Sequence, residues 1–263
     1  MSIQREEKII SGTCEPSPES WPGVVLRGFA VESIGAHGFS TGMATYAAGA
    51  TMPHHVHDVS EAITILEGSA RVLVTGREYI LSPYDCMHMP AGTAHSVVNI
   101  TAASTMRVHS AFGSARPLTE LVQDHFPAGC PETILRFEEC PVYELSPGAF
   151  FRDLFARRLG SVGICGGYGL FNPGASLPCH THNYDESITI VSGEANCLVR
   201  GHQYRLNGYD TAFVPRGQPH RFINQSGASM AMIWVYAGDE PDRLVVDGRY
   251  CSGDLIWPTR NLL

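Results

Sequence analysis

The stretch GATMPHHVHDVSE (residues 49–61) decides the fold, because the chain repeats it 125 positions later as GASLPCHTHNYDE (residues 174–186). A second pair of stretches follows at the same offset, PAGTAHSVVN (residues 90–99) and PRGQPHRFIN (residues 215–224). Each half keeps three histidines and one glutamate at fixed spacing: His55, His57, Glu61 and His95, then His180, His182, Glu186 and His220. Imidazoles and carboxylates are ligands of first-row transition metals. The sequence therefore predicts two metal sites.

Strand geometry explains the spacing of these residues. In an extended strand, residues i and i+2 point to the same face, so His55 and His57 project into one interior, and Glu61 keeps that parity. The third histidine follows a Pro-x-Gly turn, which suits a chain that re-enters the sheet on a neighbouring strand. His54 also precedes His57, but its parity is wrong, and the repeat has Cys179 at that position. We therefore expect His54 to point outward.

The repeat also predicts the domains. Residues 22–113 match 147–238 at the constant offset of 125, without a gap, which indicates a duplication. We expect an N-terminal arm (1–20), a first domain (21–113), a linker (114–146) and a second domain with a C-terminal tail (147–263). The spacing of Leu118, Leu121, Val122, His125 and Phe126 after Pro117 predicts a short helix in the linker.

Short apolar runs separated by Gly and Pro predict an all-β fold of two tandem barrels. The strands are expected around 41–48, 61–67, 70–75, 95–99 and 105–112, and again 125 positions later. Alternation along these strands predicts that a set of apolar side chains faces the two interiors: Ile63, Ile65, Val97, Ile188, Ile190 and Phe222.

The paired stretches resemble the two signature motifs of the cupin superfamily, G-x5-H-x-H-x3-E-x6-G and P-x-G-x2-H-x3-N. The resemblance covers about 21–113 and 147–240, and departs from the family where a glycine is expected and the chain has Tyr84 and Tyr209. It implies two tandem cupin barrels (double-stranded β-helix, or jelly roll) joined by the short helical linker. It also implies that the eight repeated residues are metal ligands, and it suggests a homo-oligomer formed by strand exchange.

Composition excludes several classes. The formal charge of −8 and the pI of about 5.8 argue against a nucleic-acid partner. No apolar run reaches membrane-spanning length, and the polar start lacks the core of a signal peptide. The eight cysteines form no CxxC pair, so we expect free thiols rather than a disulfide framework, in keeping with a reducing cytoplasm.

The ligand set limits the chemistry. Three imidazoles and one carboxylate leave two of six octahedral positions for water, substrate or dioxygen, and they suit Fe or Mn first, with Ni, Co or Zn as alternatives. Bicupins with this set include dioxygenases and a manganese oxalate decarboxylase. The favoured hypothesis is an Fe(II) or Mn(II) dioxygenase acting on a small polar or anionic metabolite. A non-oxidative decarboxylase, hydrolase or isomerase and a non-catalytic binding protein are the alternatives. Beyond the metal ligands, the sequence identifies no catalytic residue.

Substrate-binding candidates come from matched positions. Arg27 and Arg152 follow Pro-Gly turns, where each could bind a carboxylate or form a structural salt bridge. On the closing strands, one parity makes the first pocket cationic and the second aromatic, through Arg107 and His109 against Trp234 and Tyr236. The other parity places Val108, Ser110, Ile233 and Val235 inward, which removes the asymmetry. His88, replaced by Phe213 in the second half, is interpreted as a packing residue.

Overall fold

The computed structural model describes residues 5–17, 21–123 and 130–258, and these residues are almost entirely β-strand and turn. The strands of the first half are β1 (Lys8–Ile10), β2 (Val24–Ala30), β3 (Ser40–Tyr46), β4 (Thr51–His57), β5 (Glu61–Glu67), β6 (Ala70–Val74), β7 (Arg77–Leu81), β8 (Cys86–Met89), β9 (His95–Asn99) and β10 (Met106–Phe112). All five strand regions predicted for this half are confirmed.

The rest of the chain contains the linker strands and then a second set of strands in the same order. Its strands are β11 (Thr119–Leu121), β12 (Thr133–Leu135), β13 (Tyr143–Ser146), β14 (Ala149–Phe155), β15 (Cys165–Phe171), β16 (His180–Thr181), β17 (Glu186–Ser192), β18 (Glu194–Val199), β19 (His202–Asn207), β20 (Thr211–Val214), β21 (His220–Ile223), β22 (Met230–Tyr236) and β23 (Leu244–Val245). The described residues also form four short helices, three 3-10 turns (Glu32–Ile34, Phe137–Glu139, Arg157–Leu159) and α1 (Arg249–Ser252) after the last strand.

Four sheets build two barrels. The first barrel pairs a six-stranded sheet, β12-β8-β5-β10-β3-β2, with a five-stranded sheet, β11-β4-β9-β6-β7. The second pairs a seven-stranded sheet, β1-β20-β17-β22-β15-β14-β13, with a five-stranded sheet, β19-β18-β21-β16-β23. The predicted all-β fold of two tandem barrels is confirmed.

Each barrel has its own apolar interior, and a third apolar cluster lies between the two. Ile63, Ile65 and Val97 lie in the first interior and Ile188, Ile190 and Phe222 in the second, as strand alternation predicts. The third cluster draws side chains from both halves, among them Phe39, Phe155 and Phe213. Since burial of apolar area stabilises at about 25 cal/mol per Å², this shared cluster fastens the barrels together.

The barrels exchange their N-terminal strands. β1, from the arm, pairs with β20 of the second barrel, with Lys8 opposite Phe213. β12, from the linker, pairs with β8 of the first barrel, with Thr133 opposite His88. Thr133 lies 125 positions after Lys8, and Phe213 lies 125 positions after His88. The linker therefore contains the arm of the second repeat. The strand exchange that the sequence analysis assigned to an oligomer thus occurs within one chain.

A buried carboxylate anchors each exchanged strand. Glu132, just before β12, accepts hydrogen bonds of 2.7 Å from Nε of Arg77 and from the hydroxyl of Tyr79. Glu7, just before β1, meets His202 and Tyr204, the residues 125 positions after Arg77 and Tyr79. Charge-assisted bonds of this kind are strong and directional, so they fix the register in which each arm adds to the opposite barrel.

The helix predicted in the linker is wrong over the part that the structure describes. Residues 119–121 form β11, which pairs with β4 and places Thr119 opposite His57. Leu118 and Leu121 are exposed, so their helical spacing does not reflect a buried face. Pairing with an open sheet edge outweighs a weak local helical preference. His125 and Phe126 lie outside the described residues.

The constant offset of 125 fails before the last strand of each barrel. The side-chain amide of Asn99 donates to the carbonyl of Ser104, five residues on, whereas that of Asn224 donates to Ala228, four residues on. The second turn is therefore one residue shorter. Downstream the offset is 124, so Phe112 and Tyr236 are equivalent, each standing opposite the glutamate of its own barrel.

Two histidines are buried on the face of the first barrel that meets the second. His88 and His109 are 2% and 1% exposed, and none of their ring nitrogens has a hydrogen-bond partner among the described residues. Burial lowers the pKa of each imidazole to about 4. In the second barrel the equivalent residues are apolar, Phe213 and Ile233. The first half therefore carries two neutral imidazoles where the second carries hydrocarbon.

We expect His109→Ile to remove part of the protein's acid sensitivity. The unfolded chain protonates this imidazole near pH 6.5, while the folded chain keeps it neutral down to about pH 4, so stability falls as the pH drops through this window. Between pH 8 and pH 5 the wild-type loss from this group is about 2 kcal/mol. Urea unfolding at pH 8 and pH 5 should show a smaller loss for the variant. The exposed control His37→Gln should match the wild type, and an unchanged loss in His109→Ile would contradict the prediction.

A disulfide joins Cys179 to Cys251 in α1, across a sequence separation of 72 residues. The expectation of free thiols is therefore wrong for this pair and holds for the other six cysteines. Sequence spacing does not reveal the pair, because only the folded tail brings α1 beside the strand that carries His180. The disulfide weakens the argument for a reducing compartment. Within the described residues, no helix is long and apolar enough to cross a membrane.

Candidate metal centres

The first candidate site lies where β4, β5 and β9 meet inside the first barrel. His55 on β4 stands directly opposite His95 on β9, and His57 and Glu61 bring their side chains to the same place. One potential ligand atom from each residue lies within 4.8 Å of the other three. Oε2 of Glu61 is 3.0 Å from Nε2 of His95 and 3.3 Å from Nε2 of His57. His54 is outside the cluster, as its parity predicts.

The second candidate site repeats this geometry in the second barrel. His180 stands opposite His220, and Oε2 of Glu186 lies 2.7 Å from Nε2 of His220 and 3.3 Å from Nε2 of His182. All four residues are at most 4% exposed. The sequence therefore predicted both clusters residue for residue.

Main-chain carbonyls fix the orientation of every imidazole. Nδ1 of His55 lies 2.7 Å from the carbonyl of Pro53, and Nδ1 of His95 lies 2.9 Å from that of Thr93. A carbonyl only accepts, so Nδ1 carries the proton and Nε2 of the neutral ring presents its lone pair to the cluster. The same contacts recur at three further histidines: His57 with Leu118, His180 with Pro178 and His220 with Gln218. The sixth, His182, donates to the carbonyl of Asp242.

Charge in the first cluster is set by Glu61. Burial disfavours its ionised form, but His57 and His95 beside it hold the pKa of the carboxyl well below its usual range. Burial lowers the pKa of His55 to about 3, so this ring is neutral. Burial also acts to lower the pKa of His57, but the Glu61 carboxylate outweighs it and the pKa is raised. A cation that binds here therefore displaces a proton from His57.

In the second cluster the glutamate again raises the pKa of a neighbouring histidine. Burial opposes protonation of His182, yet the charge of Glu186 and the contacts with Asp242 raise its pKa to about 9. The pKa of Glu186 is lowered, against its burial, by His182 and His220. An ionised carboxylate beside three imidazoles is thus present at both sites.

These residues fit a divalent transition metal. Each cluster offers three imidazole lone pairs and one carboxylate oxygen, all buried and all aimed by their own hydrogen bonds. Nε2 of His57 and Oε2 of Glu61 are buried and lack a well-oriented hydrogen bond to another protein atom. The same is true of Nε2 of His182 and Oε2 of Glu186 in the second site. Such polar atoms are costly to bury unless something satisfies them. The chain therefore has two sites for a divalent metal ion.

The two sites differ in access. A cavity of about 200 Å³ borders all four residues of the first site, and most of its surface is apolar. At the second barrel, a cavity of about 260 Å³ borders none of the four corresponding residues. The ring of Tyr236 lies 4.4 Å from that of His182, and the ring of Trp234 lies 4.9 Å from Tyr236, between the cavity and the metal site. The first site is open to a ligand and the second is covered.

The structure divides the substrate-binding candidates on the closing strands. Trp234 and Tyr236 face the second interior. Arg107 and His109 do not face the first cavity, which Val108 and Ser110 line instead. Arg107 pairs with Glu67 and lies 5.3 Å from the ring centre of Tyr209 in the other half. The parity that would bring Arg107 and His109 into the first pocket is therefore wrong, because the shorter second turn shifts the strand by one residue and a one-residue shift reverses every side chain.

The matched arginines have different surroundings. Arg27 borders the first cavity, and its Nε donates a 2.9 Å hydrogen bond to the carbonyl of Cys14 in the arm. Arg152 donates to the carbonyls of Phe137 and Cys140 and lies 4.5 Å from the ring centre of Phe137. These contacts fasten the arm and the linker. A part in substrate binding stays a prediction for Arg27.

The sequence did not reveal several residues that orient the metal-site histidines or line the first cavity. Leu118 and Asp242 orient a metal-site imidazole through their main-chain carbonyls, which leave no trace in side-chain identity. Leu26 and Tyr46 line the first cavity from strands that the apolar pattern did not connect with the motifs.

Fold and sites together define a two-barrel metalloprotein with an equivalent centre in each barrel. The cupin domain family matches residues 42–112 and 167–236. The chain belongs to the cupin family, and it is a bicupin. Tyr84 and Tyr209, at the position where the family motif has glycine, adopt φ of 68° and 72°, so the left-handed turn is kept without glycine.

Solved structures share this fold. Oxalate decarboxylase from Bacillus subtilis at pH 4.6 is 17% identical, with a TM-score of 0.75 over 94% of this chain and 79% of that chain. The formate complex of Lactobacillus farciminis oxalate decarboxylase is 14% identical, with a TM-score of 0.76 over 94% of this chain and 90% of that chain. No curated protein sequence matches the chain. At these identities the structural similarity shows the fold alone.

Proposed function

We propose that this bicupin is a metal-dependent enzyme that converts a small organic molecule at the first site, with Fe(II) or Mn(II) dioxygenase chemistry as the favoured reaction. The observation that carries the proposal is the cavity that borders His55, His57, Glu61 and His95. An octahedral ion held by these four residues would have two further positions for a ligand, and the cavity borders all four residues. Bound Fe(II) or Mn(II) would supply redox activation of the substrate and dioxygen.

The residues around the first site would contact the substrate and keep water out of the cavity. Apolar side chains such as Tyr46, Met52 and Val108 form most of the cavity wall, which lowers the local dielectric and strengthens the polar contacts of a ligand. The hydroxyl of Tyr46 donates to Sδ of Met52, and burial raises its pKa, so it stays protonated.

The cavity supports oxygenation over proton-transfer chemistry. Among the described residues that line it, no carboxylate, lysine or imidazole occurs outside the four metal-site residues. Decarboxylation, hydrolysis and isomerisation commonly use a side chain that delivers or removes a proton. A dioxygenase places both atoms of O₂ in its product and needs no external reductant. The second candidate, a non-oxidative decarboxylase, is favoured by the structural similarity to oxalate decarboxylases.

An oxygen-uptake experiment tests the proposal. We expect the Fe(II) or Mn(II) protein to consume dioxygen in step with substrate loss, and the Zn(II) protein to be inert, because zinc has no redox chemistry. An electrode screen over metal-chelating metabolites, with His57→Ala as the matched control, measures this. A zinc form that works equally well under argon would contradict the dioxygenase and support the decarboxylase.

Two further proposals concern the oligomeric state and the cellular compartment of the protein. We retain a homo-oligomer and a cytoplasmic location as expectations from the sequence. Exposed Leu121 and Leu244 lie on the edge strands β11 and β23, which is compatible with assembly through these edges.

A further inference from the structure

The two barrel mouths are built from equivalent positions that hold different side chains. Ser110 and Trp234 are equivalent, because Ser110 stands opposite Ile63 and Trp234 stands opposite Ile188. Pro117 and Pro241 border the two cavities at positions related by the offset of 124. The chain thus contains an internal comparison: the indole ring that covers the second site has only a serine hydroxymethyl group as its counterpart in the first.

The space left at the first site has the size and polarity of an apolar ring. The cavity measures about 200 Å³ and is lined by Leu26, Tyr46, Met52, Ile63, Val108 and Phe112 in addition to the metal-site residues. For comparison, an apolar cavity of roughly 150 Å³ is large enough to hold benzene. A small, fully polar metabolite would leave these apolar side chains without a partner.

Charge restricts the polar end of the ligand. A divalent ion with one ionised glutamate and three neutral imidazoles has a single net positive charge. A monoanionic pair of oxygen atoms at the two remaining positions would neutralise it. A dianion would bring a second negative charge into a mostly apolar cavity, where Arg27, whose Nε already donates to the carbonyl of Cys14, is the one cationic side chain among the described residues that line it.

We propose that the first barrel binds a monoanionic, bidentate oxygen chelator that carries an aromatic or alicyclic ring, with the oxygen atoms at the metal site and the ring against Leu26, Tyr46 and Val108. This inference rests on the proposed function and narrows its substrate class. It narrows the expected small polar or anionic metabolite to an anionic one that carries a ring. Ser110 is the residue that leaves room for the ring.

A matched pair of ligands tests whether the first cavity binds a ring. Benzohydroxamate and acetohydroxamate share one chelating head and differ by a phenyl ring in place of a methyl group. Calorimetry on anaerobic Mn(II)-loaded protein should show benzohydroxamate binding about thirtyfold more tightly, as expected for burying a ring. Oxalate, a dianion, should bind more weakly than benzohydroxamate. Affinities of the two hydroxamates within threefold of each other would overturn the proposal.

Variants taken from the internal repeat locate the ring. Ser110→Trp copies the second barrel and should bring the two hydroxamate affinities together, whereas Ser110→Ala should keep the difference. If Ser110→Trp does not fold, Val108→Trp, which fills the same wall, is the second variant. A preserved difference in a folded, metal-loaded tryptophan variant would overturn the placement of the ring. Wild-type protein that holds Mn(II) but binds neither hydroxamate would overturn the substrate class alone, while protein that holds no metal would overturn the proposed function with it.

Discussion

Replacing His57 with alanine is expected to lower turnover by more than about a hundredfold, while replacing His182 with alanine should lower it less than about tenfold. Loss of an outer partner of a metal ligand already costs roughly 10–100-fold, so loss of a direct ligand costs more. The asymmetry follows from access, because the cavity borders His57, whereas Trp234 and Tyr236 stand between the second cavity and His182.

Both variants need to be compared at a temperature where each is folded, with the substrate identified by oxygen uptake. Metal content is measured beside kcat and KM, so that a lost ion is distinguished from a damaged pocket. Half of the wild-type activity in each variant would contradict this division and make both sites catalytic. Greater loss in His182→Ala would assign catalysis to the covered site.

The metal-site residues were predictable because their signal is local. His55 and His57 are two positions apart on one strand, and Glu61 keeps their parity, so strand alternation alone places the three side chains on one face. His95 required only that the Pro-x-Gly turn return the chain to a neighbouring strand, and β9 pairs with β4 as this requires. The repeat then transferred all four positions to the second half.

The closing strands were not predictable in the same way. Of the two parities considered for the closing strands, the one that faces Trp234 inward is right for the second barrel, but the same parity is wrong for Arg107 in the first. The reason is that the turn after Asn224 is one residue shorter than the turn after Asn99. A single residue is hard to detect in a polar turn, yet it reverses which face of the strand is buried. Matching side chains at a constant offset carries no information on this point.

The exchanged arms were missed, although a weak signal existed. Residues 7–10 (EKII) and 132–135 (ETIL) lie at the offset of 125, but they are short and flanked by unrelated sequence. Their alignment gains meaning only when Glu7 and Glu132 are seen to bind equivalent partners in opposite barrels. Contacts between segments so distant in the chain leave no local pattern.

Removal of the metal is expected to destabilise the protein, and the second site should contribute more than the first. Protein purified without chelator should hold close to two divalent ions per chain, His57→Ala and His182→Ala close to one each, and the double variant none. By linkage, an ion present at a thousandfold excess over its Kd stabilises by about 4 kcal/mol. Loss of an ion should therefore lower the melting temperature by roughly 10 °C in a chain of this size.

The difference between the sites follows from their strands. β4 spans seven residues and pairs with both β9 and β11, so it is held without an ion. β16 spans only two residues, with one residue paired to β21 and two to β23. A metal ion bound by His180, His182 and His220 would tie this short strand to its sheet. Elemental analysis and thermal unfolding before and after chelation measure both effects. Equal melting temperatures in the two single variants would contradict a structural role for the second site, and wild-type protein without metal after reconstitution with Fe, Mn, Co, Ni and Zn would refute both sites.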